Sequence, residues 1–231
     1  MAGYWGKVLF VDMTAGSVQE ETVPDDIYRD FVGGEGFGAR ILYERQVAKA
    51  DALGPDNTIG FVTGLITGCG VPSTSRCTVV TKSPLTGSWG YANVGGYFGP
   101  ELKATGYDAV FFKGIAPRPV YLLLTENGTE LRDATNLWGK DTVETLEILR
   151  QETGDPNIRV ACIGPAGESL SLISAIIIDG ERAAARSGVG AVMGAKRLKA
   201  VAVRGKKKVQ VVDPEAIKNL RRDFVRDINK S

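Results

Sequence analysis

Apolar residues fall in short runs separated by glycine-rich breaks rather than in long helical stripes. Residues 7–12 (KVLFVD) are strand-rich although they alternate poorly. The Thr14-Ala15-Gly16 turn then leads into residues 17–23, which predicts a β-hairpin. Further strands are expected at residues 59–63, 77–82, 108–113, 120–125, 159–163, 170–179 and 200–204, each an apolar or β-branched run bounded by turn residues. Helical spacing is rarer. Residues 25–32 and 38–47 read as short helices, and in the second Ala39, Leu42, Tyr43 and Gln46 share a face. The clearest helix is 141–153: Asp141 can cap it, Glu144 can complete a capping box, and Val143, Leu146 and Leu149 line one side. Asp213-Pro214-Glu215 opens a last helix, with a capping carboxylate, a proline in the first turn and an acid at the positive end of the dipole. Its stripe of Ile217, Leu220, Phe224 and Ile228 should pack on more of a longer protein or on a partner. Strands outnumber helices and do not alternate regularly with them. That predicts an α+β fold of large mixed β-sheets with flanking helices.

One echo runs through the chain. Gly95 and Gly99 precede Leu102-Lys103-Ala104, an apolar strand and Gly114; Gly190 and Gly194 precede Leu198-Lys199-Ala200, an apolar strand and Gly205. This suggests an internal duplication, with two glycine-rich helix starts about a pseudo-twofold axis.

The 231 residues are 43% hydrophobic, enough for one sizeable core or two small ones. The 28 basic and 27 acidic residues balance, so no global field draws the chain to nucleic acid or an anionic membrane. The apolar run at 170–178 is too short for a membrane span, and no signal peptide is evident, so a cytoplasmic setting is expected. The absence of histidine removes the usual neutral-pH base and the commonest zinc ligand. Cys69, Cys77 and Cys162 form no CxxC pair and suit neither a disulfide framework nor a four-cysteine cluster; they read as small core residues. Chemistry, if present, then belongs to a cofactor.

Glycine is abundant, with 29 residues mostly in clusters, and three clusters carry candidate chemistry. The first runs from Gly64 through Ser73-Thr74-Ser75-Arg76 and Lys82-Ser83-Pro84-Leu85-Thr86-Gly87 to Asn93-Val94-Gly95-Gly96. Its hydroxyls, guanidinium, amide and unhindered backbone N–H groups are the donors that a phosphate needs. The competing reading pairs Arg76 with a surface acid. In the second, Arg182 and Arg186 would share a helical face around Ala183, Ala184 and Ala185, small enough for a flat ligand to approach; alternatively Asp179 and Glu181 pair with these arginines. The third, Gly33-Gly34-Glu35-Gly36-Phe37-Gly38, fails as a dinucleotide fingerprint because no strand precedes it, so close packing of Gly38 and Ala39 is expected.

In this order, GYWGKVLFVDMTAG (3–16), GGEGFGARILYE (33–44), VVTKSPLTGSWGYANVGGYFGPELKATGYDAVFFKG (79–114), LRDATNLWGKDTVET (131–145), CIGPAGESL (162–170) and DGERAAARSGVGAVMGAKRLKAVAVRG (179–205) resemble the aldehyde ferredoxin oxidoreductase family. The resemblance implies an N-terminal domain over residues 1–210, with 211–231 leading to a second domain. It implies two mixed sheets forming the base of a tungsten (or molybdenum) bis-pyranopterin site. By position, the pterin contacts are Arg76, Asn93, Gly95, Arg182, Ala183, Ala184 and Ala185. A magnesium ion bridging the pterin phosphates would take the Asn93 side chain and the Ala183 backbone carbonyl. No catalytic side chain is carried over. Family members usually have glycine where this chain has Ala185 and Ser187. The [4Fe-4S] ligands lie in later domains. The implied enzyme oxidises aldehydes to carboxylic acids and passes electrons to ferredoxin, and a homo-oligomer is compatible with it; the fragment alone should be inactive. The runner-up is a stand-alone pterin- or phosphate-binding module without redox activity, and a weaker third reading is a purely structural subunit.

Overall fold

A computed structural model describes residues 2–230. The first half runs β1 (Lys7–Asp12), β2 (Ser17–Thr22), α1 (Asp25–Phe31), α2 (Gly34–Arg45), β3 (Ile59–Thr63), β4 (Cys77–Lys82), β5 (Trp89–Val94), α3 (Phe98–Ala104) and β6 (Ala109–Lys113). The second runs β7 (Val120–Thr125), β8 (Gly128–Asp133), α4 (Thr142–Thr153), β9 (Arg159–Cys162), α5 (Pro165–Glu168), β10 (Ile176–Ile178), β11 (Arg182–Ala184), α6 (Val189–Ala195) and β12 (Leu198–Arg204). Helix α7 (Pro214–Ile228) follows. The class is α+β, as the run pattern predicts.

Each half builds one six-stranded mixed sheet. The first has the order β2-β1-β6-β3-β4-β5 and the second β8-β7-β12-β9-β10-β11. The parallel pair falls at the same place in both, β1 with β6 and β7 with β12; every other pairing is antiparallel. The two sheets therefore repeat one topology, which supports duplication. The literal echo is out of register, however. The first Leu-Lys-Ala lies in helix α3 and the second in strand β12. Laying residues 98–114 on 189–205 instead superposes α3 on α6, left-handed Gly106 on left-handed Arg197, and Gly114 on Gly205.

The main core lies between the sheets, where Leu9, Phe61 and Val79 meet Leu122, Ala161 and Val201. Helices α3 and α6 contribute Phe98, Leu102, Val192 and Met193 to it. They also cross over: α3 packs on β9 and β12, and α6 on β3, β4 and β5. Smaller cores lie outside, with α1 and α2 on the first sheet and α4 on the second. Central strands are thus covered on both faces, so β3 is buried at every position and shows no alternation.

Several sequence expectations shift. Of residues 170–179 only β10 is extended. Leu170 is left-handed, and Ser174 N–H donates to the Ser171 carbonyl, turning the chain and leaving Ile173 82% exposed. Helix α2 begins four residues before the expected 38. A Cβ on Gly38 would lie 2.7 Å from Val80 Cγ1, the close packing expected there. Cys77 and Cys162 are buried; Cys69 is only half-buried, with its thiol donating to the Leu65 carbonyl. Helix α7 begins under its Asp213 cap, and none of its residues is buried. Among the described residues no helix is long and apolar enough to cross a membrane.

Candidate functional site

The duplicated topology leaves β5 and β11 at corresponding edges of the two sheets, and the two strands contact one another. Ser187, just past β11, ties them by donating its hydroxyl to the Tyr91 carbonyl at 3.2 Å. The Tyr91 carbonyl is turned away from β4 by the hairpin register. Ser83 N–H donates to the Ser88 carbonyl, which makes that pair hydrogen-bonded. The opposed pairs Lys82/Trp89, Val80/Tyr91 and Thr78/Asn93 are then the other kind, with backbone groups of β5 directed away from β4. The Asn93 carbonyl therefore points to the same open side as that of Tyr91.

A cavity of about 370 Å³ opens at this edge, lined by Ser73, Ser75, Arg76, Gly95, Gly96, Tyr97 and Arg182. Arg76 precedes β4 and donates Nη1–H to Asn93 Oδ1 at 3.0 Å. Asn93 donates Nδ2–H to Thr78 Oγ1, also at 3.0 Å. Arg182 crosses from the other half: its Cδ lies 3.1 Å from where a Cβ on left-handed Gly96 would stand, so only glycine admits the arginine there. Arg159 stacks its guanidinium over the Tyr97 ring at 4.6 Å. No carboxylate lines the cavity. The lining offers two guanidiniums, one from each half, with three hydroxyls and the backbone of two glycines from the first half, a donor set suited to an anion.

The structure brings Arg76, Asn93, Gly95 and Arg182 together. It corrects the expected Arg182–Arg186 helix, because Arg182–Ala184 is strand β11, paired with β10 through Ile177↔Ala183. The hairpin at Asp179-Gly180-Glu181, with Asp179 and Gly180 left-handed, returns the chain into extended form. The alternative pairing of Arg182 with Asp179 is absent: Asp179 accepts from Val160 N–H and faces Arg159 at 3.9 Å. Ala183, Ala184 and Ala185 follow Arg182 without lining the cavity. Ala184 is fully buried with its methyl in the core, while Ala183 and Ala185 are exposed beside it. The Lys82–Gly87 stretch also lies elsewhere, at the far end of the β4–β5 hairpin, where Lys82 donates to the Ala50 carbonyl. It borders a larger, separate cavity of about 670 Å³ with Phe31, Leu42, Tyr43 and Trp89. Thr78, Tyr97 and Arg159 escaped the sequence reading. The signal for Thr78 is its register opposite Asn93, which needs β5, a strand the pattern did not reveal.

The chain offers little to a bare metal. Burial pushes the Cys77 and Cys162 thiols up to about 12, so neither is a thiolate near neutrality. Among the described residues no group of three or more acidic or thiol side chains could hold an ion. The donors present suit the anionic ends of a cofactor that brings its own metal ligands.

The tungsten-containing aldehyde ferredoxin oxidoreductases of Pyrococcus abyssi and Pyrococcus horikoshii are 44% and 45% identical over 100% and 97% of this chain. The chain spans only 38% of the length of these curated relatives. Among solved structures, a chain of the BamBC active-site complex of benzoyl coenzyme A reductase with 1,5-dienoyl-CoA superposes with a TM-score of 0.95 at 38% identity, covering 99% of this chain and 35% of that one. The sequence model of the aldehyde ferredoxin oxidoreductase N-terminal domain matches residues 8–205, most of the length. The chain belongs to the aldehyde ferredoxin oxidoreductase N-terminal domain family.

Proposed function

We propose that this chain seats the phosphate ends of a tungsten (or molybdenum) bis-pyranopterin cofactor within a longer oxidoreductase. The observation that carries the reading is the convergence of Arg76, Asn93 and Arg182, from two halves of the fold, on one cavity free of acids. Arg76 and Arg182 would hold phosphate oxygens through charge-assisted hydrogen bonds. Gly95 lines the cavity without a side chain, so its backbone stands open to a phosphate. Ala183 and Ala185 keep the β11 edge low enough for a flat ring system to lie along it. A magnesium ion between the phosphates fits the oxygen donors here: Asn93 offers the second lone pair of Oδ1 and an outward carbonyl, and Ala183 a backbone carbonyl.

When bound, the metal–pterin group would supply the two-electron chemistry that converts an aldehyde to a carboxylic acid. This chain's residues bind and orient it. Electron transfer through a [4Fe-4S] cluster to ferredoxin, and the substrate pocket, would be furnished by polypeptide beyond residue 231. The benzoyl coenzyme A reductase likeness and a 35% identical aliphatic sulfonate oxidoreductase subunit of Pyrococcus furiosus favour a second reading of the substrate: the same base serving a different reduction or oxidation.

The test uses the full-length protein. Arg76→Ala removes a contact worth about 1.5–3 kcal/mol, so tungsten and pterin content should fall roughly tenfold or more at unchanged melting temperature. Asn93→Leu should lower magnesium stoichiometry. Native metal content in both variants would refute the cradle. Turnover with aldehydes against acyl-CoA substrates separates the two readings of the reaction.

A further inference from the structure

We propose that Thr78 is a positioning residue for the anion cavity: its buried hydroxyl anchors the Asn93 amide and so aims the Arg76 guanidinium. The purpose of this arrangement rests on the phosphate reading above, whereas the arrangement itself can be tested without it.

A side-chain amide has a donor end and an acceptor end of nearly the same shape, and a guanidinium only donates. Asn93 can hold Arg76 only while Oδ1 is turned toward it. Arg76, which only donates, selects that end, and Thr78 takes the amide N–H left over, tying Asn93 to β4. Thr78 stands directly opposite Asn93 on β4, in the closely spaced kind of antiparallel pair, where facing side chains meet. Its Oγ1 accepts Asn93 Nδ2–H at 3.0 Å, and Asn93 Oδ1 accepts Arg76 Nη1–H at the same distance. Thr78 is only 2% exposed, so its hydroxyl is held still, whereas Asn93 lies at the surface. The position of Thr78 inside a covered strand fixes the hydroxyl, whereas Arg76 lies outside any strand on the rim of the cavity. Order thus passes from the sheet to the cavity through one amide. Without the Thr78 acceptor, the Asn93 side chain loses its tie to β4 and no longer holds the Arg76 guanidinium in one direction.

The experiment titrates the 231-residue chain with inorganic pyrophosphate and measures the order of the Arg76 Nε–Hε group by nitrogen relaxation. Thr78→Val keeps the β-branched shape and deletes the acceptor. It should retain the native melting temperature, loosen Arg76 and weaken pyrophosphate binding by roughly three- to tenfold. Thr78→Ser should restore both readouts, which a merely structural role would not require. In an Asn93→Leu background Thr78→Val should add nothing further. Should the valine variant fail to fold, Thr78→Ala makes the same measurement. Unchanged Arg76 order in the acceptor-free variant overturns the proposal, as does a loss that serine leaves unrepaired. If the native chain ignores pyrophosphate, the phosphate reading fails, and the Arg76 order alone still decides the role of Thr78.

Discussion

Lys196 is 1% exposed, yet its ammonium has no carboxylate bonded to it; Nζ donates to the Gly114 carbonyl at 3.1 Å. Burial lowers its pKa from 10.5 to about 8, with nearby Lys113 adding to the effect and Asp56 opposing it. Between those values the unfolded chain keeps the proton and the folded chain has released it. Unfolding then takes up a proton, so stability rises as pH climbs from about 8 toward 10.5, by about 3 kcal/mol at most. Denaturant unfolding of the native chain and of Lys196→Met should therefore converge or cross over that interval, with the native chain gaining. Parallel stability curves would show that the amine keeps its ordinary pKa in the folded chain. A buried ion pair elsewhere in the fold behaves differently. Asp108 accepts from Trp5 and Gly6 N–H and the Tyr28 hydroxyl and faces Lys103 at 3.5 Å, so both charges have partners.

Among the elements, α4 shows how far local rules reach. Asp141 accepts from Val143 and Glu144 N–H at 2.8 Å, and the Glu144 carboxylate returns to the Asp141 N–H. Asp141→Ala should cost about 1 kcal/mol and lower the melting temperature by about 2–4 °C, as read by calorimetry. An unshifted transition would mean that packing of Leu146 and Leu149 alone holds the helix. This helix was legible because its signals are local, as were β1, β3, β4 and β7, whose limits follow from apolar runs between turn residues. Strand β8 was not, since its solvated edge position leaves Gly128–Asp133 too polar to stand out. Strand β11 was not, since three residues held in register by β10 carry no period of their own. The cradle was legible in part for the same reason. Arg76, Asn93, Gly95 and Arg182 advertise anion chemistry by residue type, and the family resemblance singles them out. Thr78 and Tyr97 acquire meaning only when β5 pairs with β4 and α3 follows it.

At the scale of the molecule, the crossed packing of α3 and α6 makes the halves inseparable. Where the end of α3 meets the second half, a Cβ on Gly205 would lie 2.1 Å from the Ala104 carbonyl carbon, a backbone atom that cannot step aside. Gly205→Ala should therefore separate the halves locally at a cost of about 3 kcal/mol or more, in the range of severe overpacking. The measurement is soluble yield and denaturant midpoint; a native midpoint would show that this joint yields easily. The two halves are, on this view, one cooperative body.

The repeated sheet order also bears on descent. A single ancestral unit would have formed this base as a homodimer, in which every side chain near the axis met its own twin. Joining two copies into one gene would lift that constraint. At matched positions the first half now buries the acid Asp108 and the second the base Lys199, with Lys103 and Glu168 as their respective partners. A symmetric pair could never have held such opposite charges, and a single chain can tailor each half separately.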